Sequence, residues 1–441
     1  MKVQRSWFVL VGLILSCACV GAGLAQETPE QPKKGKTPEK TKTPEKAKSP
    51  VTPPAVPPEQ PQATDPYAQG PLRGGEAPVR GFNPHMLGDY QGLFARRFGI
   101  VVAVQTINTF QTTFQTTTQI VTTTIPGISG QPIPVKVPVT VTTTTQTPVT
   151  LQSRMAVAVP FTSPILSLGA FKIGENESPA PEDRVFLTYN YFGDVRGPNL
   201  GASMPKSDTV TTTINGNAAI VTTHTPAFAP QINASREIFG FEKTFFNGMA
   251  SVGLRAPLVQ QQGDGSFTKV GNLTAILKVA IAGDPASGDV LSAGLAVTAP
   301  TGPSIATIDG DIRSTIVQPF VGYRWVEDRF FLQGFASVAV PTDSQLPTLL
   351  FNDIGVGYKV YQGTPGDAIT FVSPIVEAHL TTPLTHRGLD NAIIAPDLLA
   401  LVGGVHIGLY GTSTLTFGVS APVTGPRPFD VEGIAQLNFR Y

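Results

Sequence analysis

The last thirteen residues, Phe429 to Tyr441, read F-D-V-E-G-I-A-Q-L-N-F-R-Y, and their alternation decides the fold class. Phe429, Val431, Gly433, Ala435, Leu437, Phe439 and Tyr441 fall on one side of an extended chain. Asp430, Glu432, Ile434, Gln436, Asn438 and Arg440 fall on the other. Side chains alternate across a strand, so this is a strand with one apolar and one charged face. It runs to the final residue and ends in aromatics. Such a strand fits the wall of an outer-membrane β-barrel, with lipid outside and a polar lumen inside.

Upstream of this strand, turns and alternating segments recur. Candidate strands cover 183–194, 235–246, 248–258, 272–282, 289–299, 313–326, 328–341, 350–361, 368–381, 398–410, 412–422 and 429–441. Twelve antiparallel transmembrane strands over 183–441 are expected, or fourteen if an upstream hairpin joins the wall. Leu277, Tyr323, Trp325, Val356, Phe417, Phe439 and Tyr441 are expected to face lipid. Arg184, Glu242, Arg255, Lys278, Arg324, Asp353, Lys359, Glu377, Asp430, Glu432 and Arg440 are expected to face the lumen. Alternate connections are short, as at Asn247-Gly248, Val326-Glu327-Asp328 and Tyr410-Gly411-Thr412, and the others are mostly longer. Short turns on one rim and long loops on the other are a barrel habit. Pro257, Pro319, Pro341 and Pro374 are awkward in central strands and mark places where register slips or bulges are expected. A soluble secreted β-sandwich, its apolar faces turned inward, is the competing fold. The ending Phe439-Arg440-Tyr441 resembles the C-terminal assembly signal of outer-membrane barrels, with Tyr441 where that class usually has Phe, and the resemblance implies contacts with the barrel-assembly machinery and with outer-membrane lipid.

The N-terminus reads as an export signal. Lys2 and Arg5 precede an apolar run from Trp7 to Val20, and Gly23-Leu24-Ala25 offers a small-residue cleavage site. Cys17 and Cys19, the only cysteines, lie inside residues 1–25. A lipoprotein acylated at Cys17 is the alternative, with Leu15 a poor fit to that motif. Cleavage after Ala25 leaves no cysteine, so disulfide and thiolate chemistry are not expected. Losing Lys2 and Arg5 leaves the remaining chain close to neutral, which is no nucleic-acid footprint.

Residues 26–80 repeat Thr-Pro-Glu-Lys and are rich in Pro and Lys, so a disordered periplasmic linker is expected. Its seven lysines between Lys33 and Lys48 leave room for a contact with anionic cell-wall polymer. Residues 81–182 are β-rich. Two Thr/Gln-rich, β-branched runs flank P-G-I-S-G-Q-P at 126–132 and read as a long hairpin. Neither run holds a steady apolar face, so it is expected in the lumen, at a mouth or projecting from the surface; two added wall strands are the rival.

Phe171 to Phe192 reads F-K-I-G-E-N-E-S-P-A-P-E-D-R-V-F-L-T-Y-N-Y-F. It resembles a stretch of secreted barrel proteins of planctomycete-type bacteria, in which E-N-E-S-P-x-P-x-D-R leads into an aromatic strand. The resemblance implies a porin-like outer-membrane barrel and no particular substrate. Glu175, Glu177, Glu182 and Asp183 lack the spacing of a calcium loop and read as a solvated connector or as luminal partners for arginines.

Catalytic motifs are missing: no Gly-x-Ser-x-Gly elbow, no His-Glu-x-x-His and no phosphate-binding Gly-rich loop occurs. No enzyme activity, cofactor or metal is therefore expected, and a His379–His406 metal pair stays a remote option. Two functions remain. One is a porin-like passive channel or transporter for small polar or amphipathic solutes. The other is a non-conducting structural or surface-interaction barrel with its lumen packed shut.

Overall fold

The computed structural model describes residues 82–90, 92–126, 131–166, 172–195, 206–214, 216–227, 232–263, 266–284, 288–364 and 366–441. The expected signal peptide and Pro/Lys-rich linker, residues 1–80, lie outside the described residues.

The alternating segments fold into twelve wall strands: β1 (Arg184–Gly193), β2 (Ile232–Phe245), β3 (Ala250–Gly263), β4 (Thr274–Asp284), β5 (Asp289–Thr298), β6 (Ile316–Glu327), β7 (Phe330–Pro341), β8 (Leu349–Tyr358), β9 (Ile369–Pro383), β10 (Leu398–Leu409), β11 (Ser413–Pro422) and β12 (Val431–Arg440). Each pairs antiparallel with the next, and β12 returns to β1 from Val431↔Gly193 to Arg440↔Arg184. The sheet is closed, which leaves no wall strand with an unpaired edge. Register shifts fall at Leu291/Ser292 and Ile369/Phe371, not at the prolines. Pro257 and Pro319 pair in register with Ile238 and Leu295.

Burial follows the alternation. In β12, Glu432, Ile434, Gln436, Asn438 and Arg440 are buried, whereas Val431, Leu437 and Phe439 are exposed. The same split runs through β1, where Arg184 to Phe192 alternate buried and exposed without a break. Leu277, Val356, Phe417, Phe439 and Tyr441 are exposed on the outside, and Trp325 is half-buried there, edge-on to Phe330. Beside the short turns Phe245, Phe246, Phe330, Tyr358, Tyr361, Tyr410, Phe439 and Tyr441 are all exposed. They form an aromatic girdle at that rim, where amphipathic rings suit a membrane interface. The turns are tight: in the four residues between Phe245 and Ala250, Phe246, Asn247 and Gly248 all take positive φ, 53°, 54° and 85°.

Two expected positions need correcting. Tyr323 keeps outward parity but is only 5% exposed. Its cross-strand partner is Gly334, and the tyrosine ring lies over the space a side chain there would fill. Asp430 does not face the lumen: the ladder begins at Val431, and Asp430 is exposed just before it. Phe429 turns inward instead, against Tyr90 and Phe192.

The lumen wall carries an arrangement that alternation alone does not announce. Phe186, Phe320, Phe335, Phe331 and Phe371 point inward, directly opposite Gly240, Gly294, Gly322, Gly357 and Gly408. A Cβ on Gly240, Gly294 or Gly357 would sit 2.2 Å from the facing ring. Each ring thus lies flat on backbone that only glycine leaves bare.

Two segments stand apart from the wall. Phe94–Pro126 and Pro132–Pro164 pair along their whole length into one hairpin, with no register shift. At about 3.3 Å per residue, 33-residue strands reach on the order of 110 Å. The hairpin does not enter the wall, so the barrel has twelve strands rather than fourteen. Its base pairs with Ile393–Ile394 at the long-loop rim, and Lys206–Ile214 and Asn217–Thr225 form a second, short hairpin on its edge. That short hairpin lies within the connection after β1, where sequence alone suggests only a loop.

Candidate functional site: the lumen and its plug

The chain passes through its own barrel twice. Phe82 packs edge-on against Phe331 and Phe371 at the short-turn rim. From there residues 82–90 and 92–93 climb the lumen to Phe94, which pairs with Ile394 at the opposite rim. After the long hairpin, Lys172 lies near Phe351 at the long-loop end of β8, and 172–182 descends to Arg184. Met86, Leu87, His85, Tyr90, Ile173, Asn176 and Ser178 are all essentially sealed from solvent.

A buried charge is costly unless it is paired and hydrogen-bonded, and the plug meets that condition residue by residue. Glu177 accepts from Lys278 Nζ at 2.6 Å, Arg255 Nη2 at 2.7 Å and Arg184 Nη2 at 3.0 Å. Glu182 bonds His85 and accepts from Asn83 Nδ2 at 2.7 Å, with Arg184 Nε at 3.3 Å. Glu175 pairs with Arg236. Asn176 donates to Thr188 and accepts from Asn438, each within 3 Å. Ser178 Oγ donates to Asn83, which is also bonded by Arg324. The E-N-E-S segment is therefore the plug's set of contacts with one cationic sector of the wall.

The opposite sector is acidic and meets backbone. Glu377 accepts the N–H groups of Leu87 and Gly88, and Glu432 accepts those of Tyr90 and of the Asn190 amide. Asp353 and Glu377 flank His379, each at 2.8 Å from one ring nitrogen. Glu242 takes Arg184, Lys278 and Ser251, and Arg440 reaches Thr414 at 3.4 Å. Lys359 sits just past β8, its ammonium 5.0 Å from the Phe82 ring centre. Asp183 works at the rim: burial disfavours its charge, but the Thr244 backbone, the Thr244 hydroxyl and Lys243 hold its carboxyl below the usual range.

Arg236 and the plug residues His85 and Asp89 are not among the positions expected from sequence. Arg236 was legible, because it shares the parity of Glu242 on β2. His85 and Asp89 lie on an irregular segment, where no period marks an inward face.

Asp89, Asp353 and His379 bring three ligating atoms within 4.8 Å of one another. A cation already occupies this cluster: Lys172 Nζ lies 2.5 Å from Asp89, and both ring nitrogens of His379 bond carboxylates. The arrangement is a paired charge cluster. His406 bonds Thr416 instead of joining His379 in a metal pair.

No protein-family model and no curated protein matches the chain. Among solved structures it is similar to the crystal structure of an outer membrane channel from Pseudomonas putida F1. The two share 12% identity at a TM-score of 0.40, over 59% of this chain and 96% of that one.

Proposed function

We propose that the chain is an outer-membrane barrel of channel type, exported by its N-terminal leader and closed by its own chain as folded. The leading observation is Glu177, which draws three cations from one sector of the wall, on β1, β3 and β4, onto one plug carboxylate. Polar inward faces suit small polar or amphipathic solutes, and passage requires that the plug segments move aside. The exposed apolar outer face and the aromatic girdle support the membrane placement, with the assembly machinery engaging β12 and lipid covering the wall. No catalytic step is assigned. A surface-interaction role is the second reading, favoured by a long hairpin raised from the long-loop rim.

The test is conductance of the purified protein in planar bilayers. Wild type gives silence or rare openings, whereas Glu177→Gln with Glu182→Gln gives frequent openings. Steady ohmic steps from the wild-type protein overturn the closed state. A double variant as silent as wild type, yet still folded by its heat-resistant mobility in detergent, removes the solute passage and leaves the surface role.

A further inference from the structure

The two edges of the long hairpin differ. Its second strand, Pro132–Pro164, carries Pro132, Pro134, Pro138, Pro148, Pro160 and Pro164, all even-numbered, in a ladder with no register shift. Proline has no N–H to give, so even positions are those whose N–H points away from the first strand. The prolines remove donors from the outer edge of the second strand. They guard it as Pro and charge guard exposed edges elsewhere.

The opposite edge, on the first strand, has no such guard. Its even-numbered groups face outward too: Arg96 N bonds Ala392 O, and Phe110 O accepts from Asn217 Nδ2. That edge already takes a strand, since Asn217–Thr225 pairs with it from Val104 to Asn108. Beyond Asn217 it continues bare. Among the described residues no strand pairs with it from Phe114 to Ile125, and Thr109–Ile125 holds no proline and no charge. Phe114, Ile120, Val121 and Ile125 are exposed there.

We propose that this edge pairs antiparallel with the same edge of a second copy carried by a facing membrane. A two-fold axis at Gln119 sets Phe114 opposite Thr124, Thr116 opposite Thr122 and Thr118 opposite Ile120. Every one of these residues turns its N–H and C=O to the open edge, so each pair exchanges two hydrogen bonds. With no charge in the stretch, a copy meets no like-charge repulsion, and threonine and β-branched pairs suit the ladder. Direction selects the partner. The first hairpin strand runs from rim to tip, so copies in one membrane present these edges parallel, and a two-fold along the membrane normal puts N–H against N–H. Only copies pointing at each other bring them antiparallel.

The inference rests on the membrane placement proposed above, and two experiments separate the claims. In detergent, full-length Phe114→Cys and Thr124→Cys proteins are mixed and oxidised, with Cys17 and Cys19 absent after leader removal or replaced by Ser. A mixed disulfide dimer in large excess over either homodimer is expected; a Phe114→Cys homodimer, or no dimer, overturns the pairing. Then phosphatidylcholine vesicles carrying wild-type protein are followed by light scattering. Clustering is expected, reduced at least tenfold by Thr118→Pro with Thr122→Pro. These positions keep the hairpin ladder intact, as the even prolines of the second strand do. Thr140→Pro with Thr144→Pro, on the guarded edge, leaves clustering unchanged. Vesicles that do not cluster although the mixed disulfide forms overturn the facing-membrane geometry. Clustering insensitive to the edge prolines overturns the interface.

Discussion

The Glu177 carboxylate lies 2.6 Å from the Lys278 ammonium, joining a plug residue to the fourth wall strand across 101 positions of sequence. Both side chains are almost fully buried, and Glu177 also serves Arg184 and Arg255. Removing this one charge takes a carboxylate from three buried cations, of which Arg184 and Lys278 keep Glu242. Glu177→Gln is expected to cost about 3–5 kcal/mol, the usual loss on breaking a buried pair from one side. Urea unfolding of the detergent-bound barrel, followed by tryptophan fluorescence, measures it. An effect below about 1 kcal/mol contradicts the pairing.

The rings lying on glycine make a sharper steric prediction. A side chain at Gly357 meets Phe331 Cζ at 2.2 Å, a distance that cannot be kept. Gly357→Val therefore forces the ring out of place, and overpacking typically costs about 1–3 kcal/mol. Phe331→Ala in the same chain restores room, so the pair of changes is less harmful than the two summed. A double-mutant cycle on unfolding midpoints reads the coupling, and simple additivity counts against the contact.

The outer face and the hairpin both expose apolar side chains, yet the membrane placement proposed above puts them in different surroundings. Leu277 is 48% exposed on the wall and Ile120 68% exposed on the hairpin. Leu277→Arg puts a charge against lipid, at about 2–4 kcal/mol near mid-membrane. Ile120→Arg lies in water and stays within about 0.5 kcal/mol. Comparing the heat stability of the two variants in lipid vesicles checks this; equal losses argue against a lipid-facing wall.

Topology gives a fourth expectation. Lys136 and Arg154 are on the hairpin that leaves the long-loop rim, and both are exposed. Trypsin added to intact cells is expected to cut there while the barrel remains whole. Protection in intact cells, with cutting only after the outer membrane is opened, places the hairpin on the other side.

The twelve strands were readable from alternation because a closed wall with apolar side chains on its outer face and polar ones toward the lumen writes period two into every strand. Most expected lumen charges lie inside for the same reason. Tyr323 shows the limit: parity gives its direction, but only the partner strand reveals that Gly334 leaves a bed for the ring. Asp430 shows another, since alternation extended past the last paired residue carries on after the strand has stopped. The threading of 82–90 and 172–182 was not legible, because irregular segments have no period and their partners lie up to hundreds of residues away. The carboxylates of Glu175, Glu177 and Glu182 hinted at luminal arginines without saying which.

The central claim is that residues 82–90 occupy the lumen, and Leu87 offers the most direct measurement. A side chain built at Gly418 meets the Leu87 Cδ2 atom at 2.7 Å, with the nearest backbone atom at 3.2 Å. In a chain with no other cysteine, Leu87→Cys with Gly418→Cys is oxidised in the folded barrel and the disulfide is read by mass after tryptic digestion. Near-complete bridging of the two peptides is the expected result; two thiols that stay unbridged and react freely with a small maleimide contradict an occupied lumen.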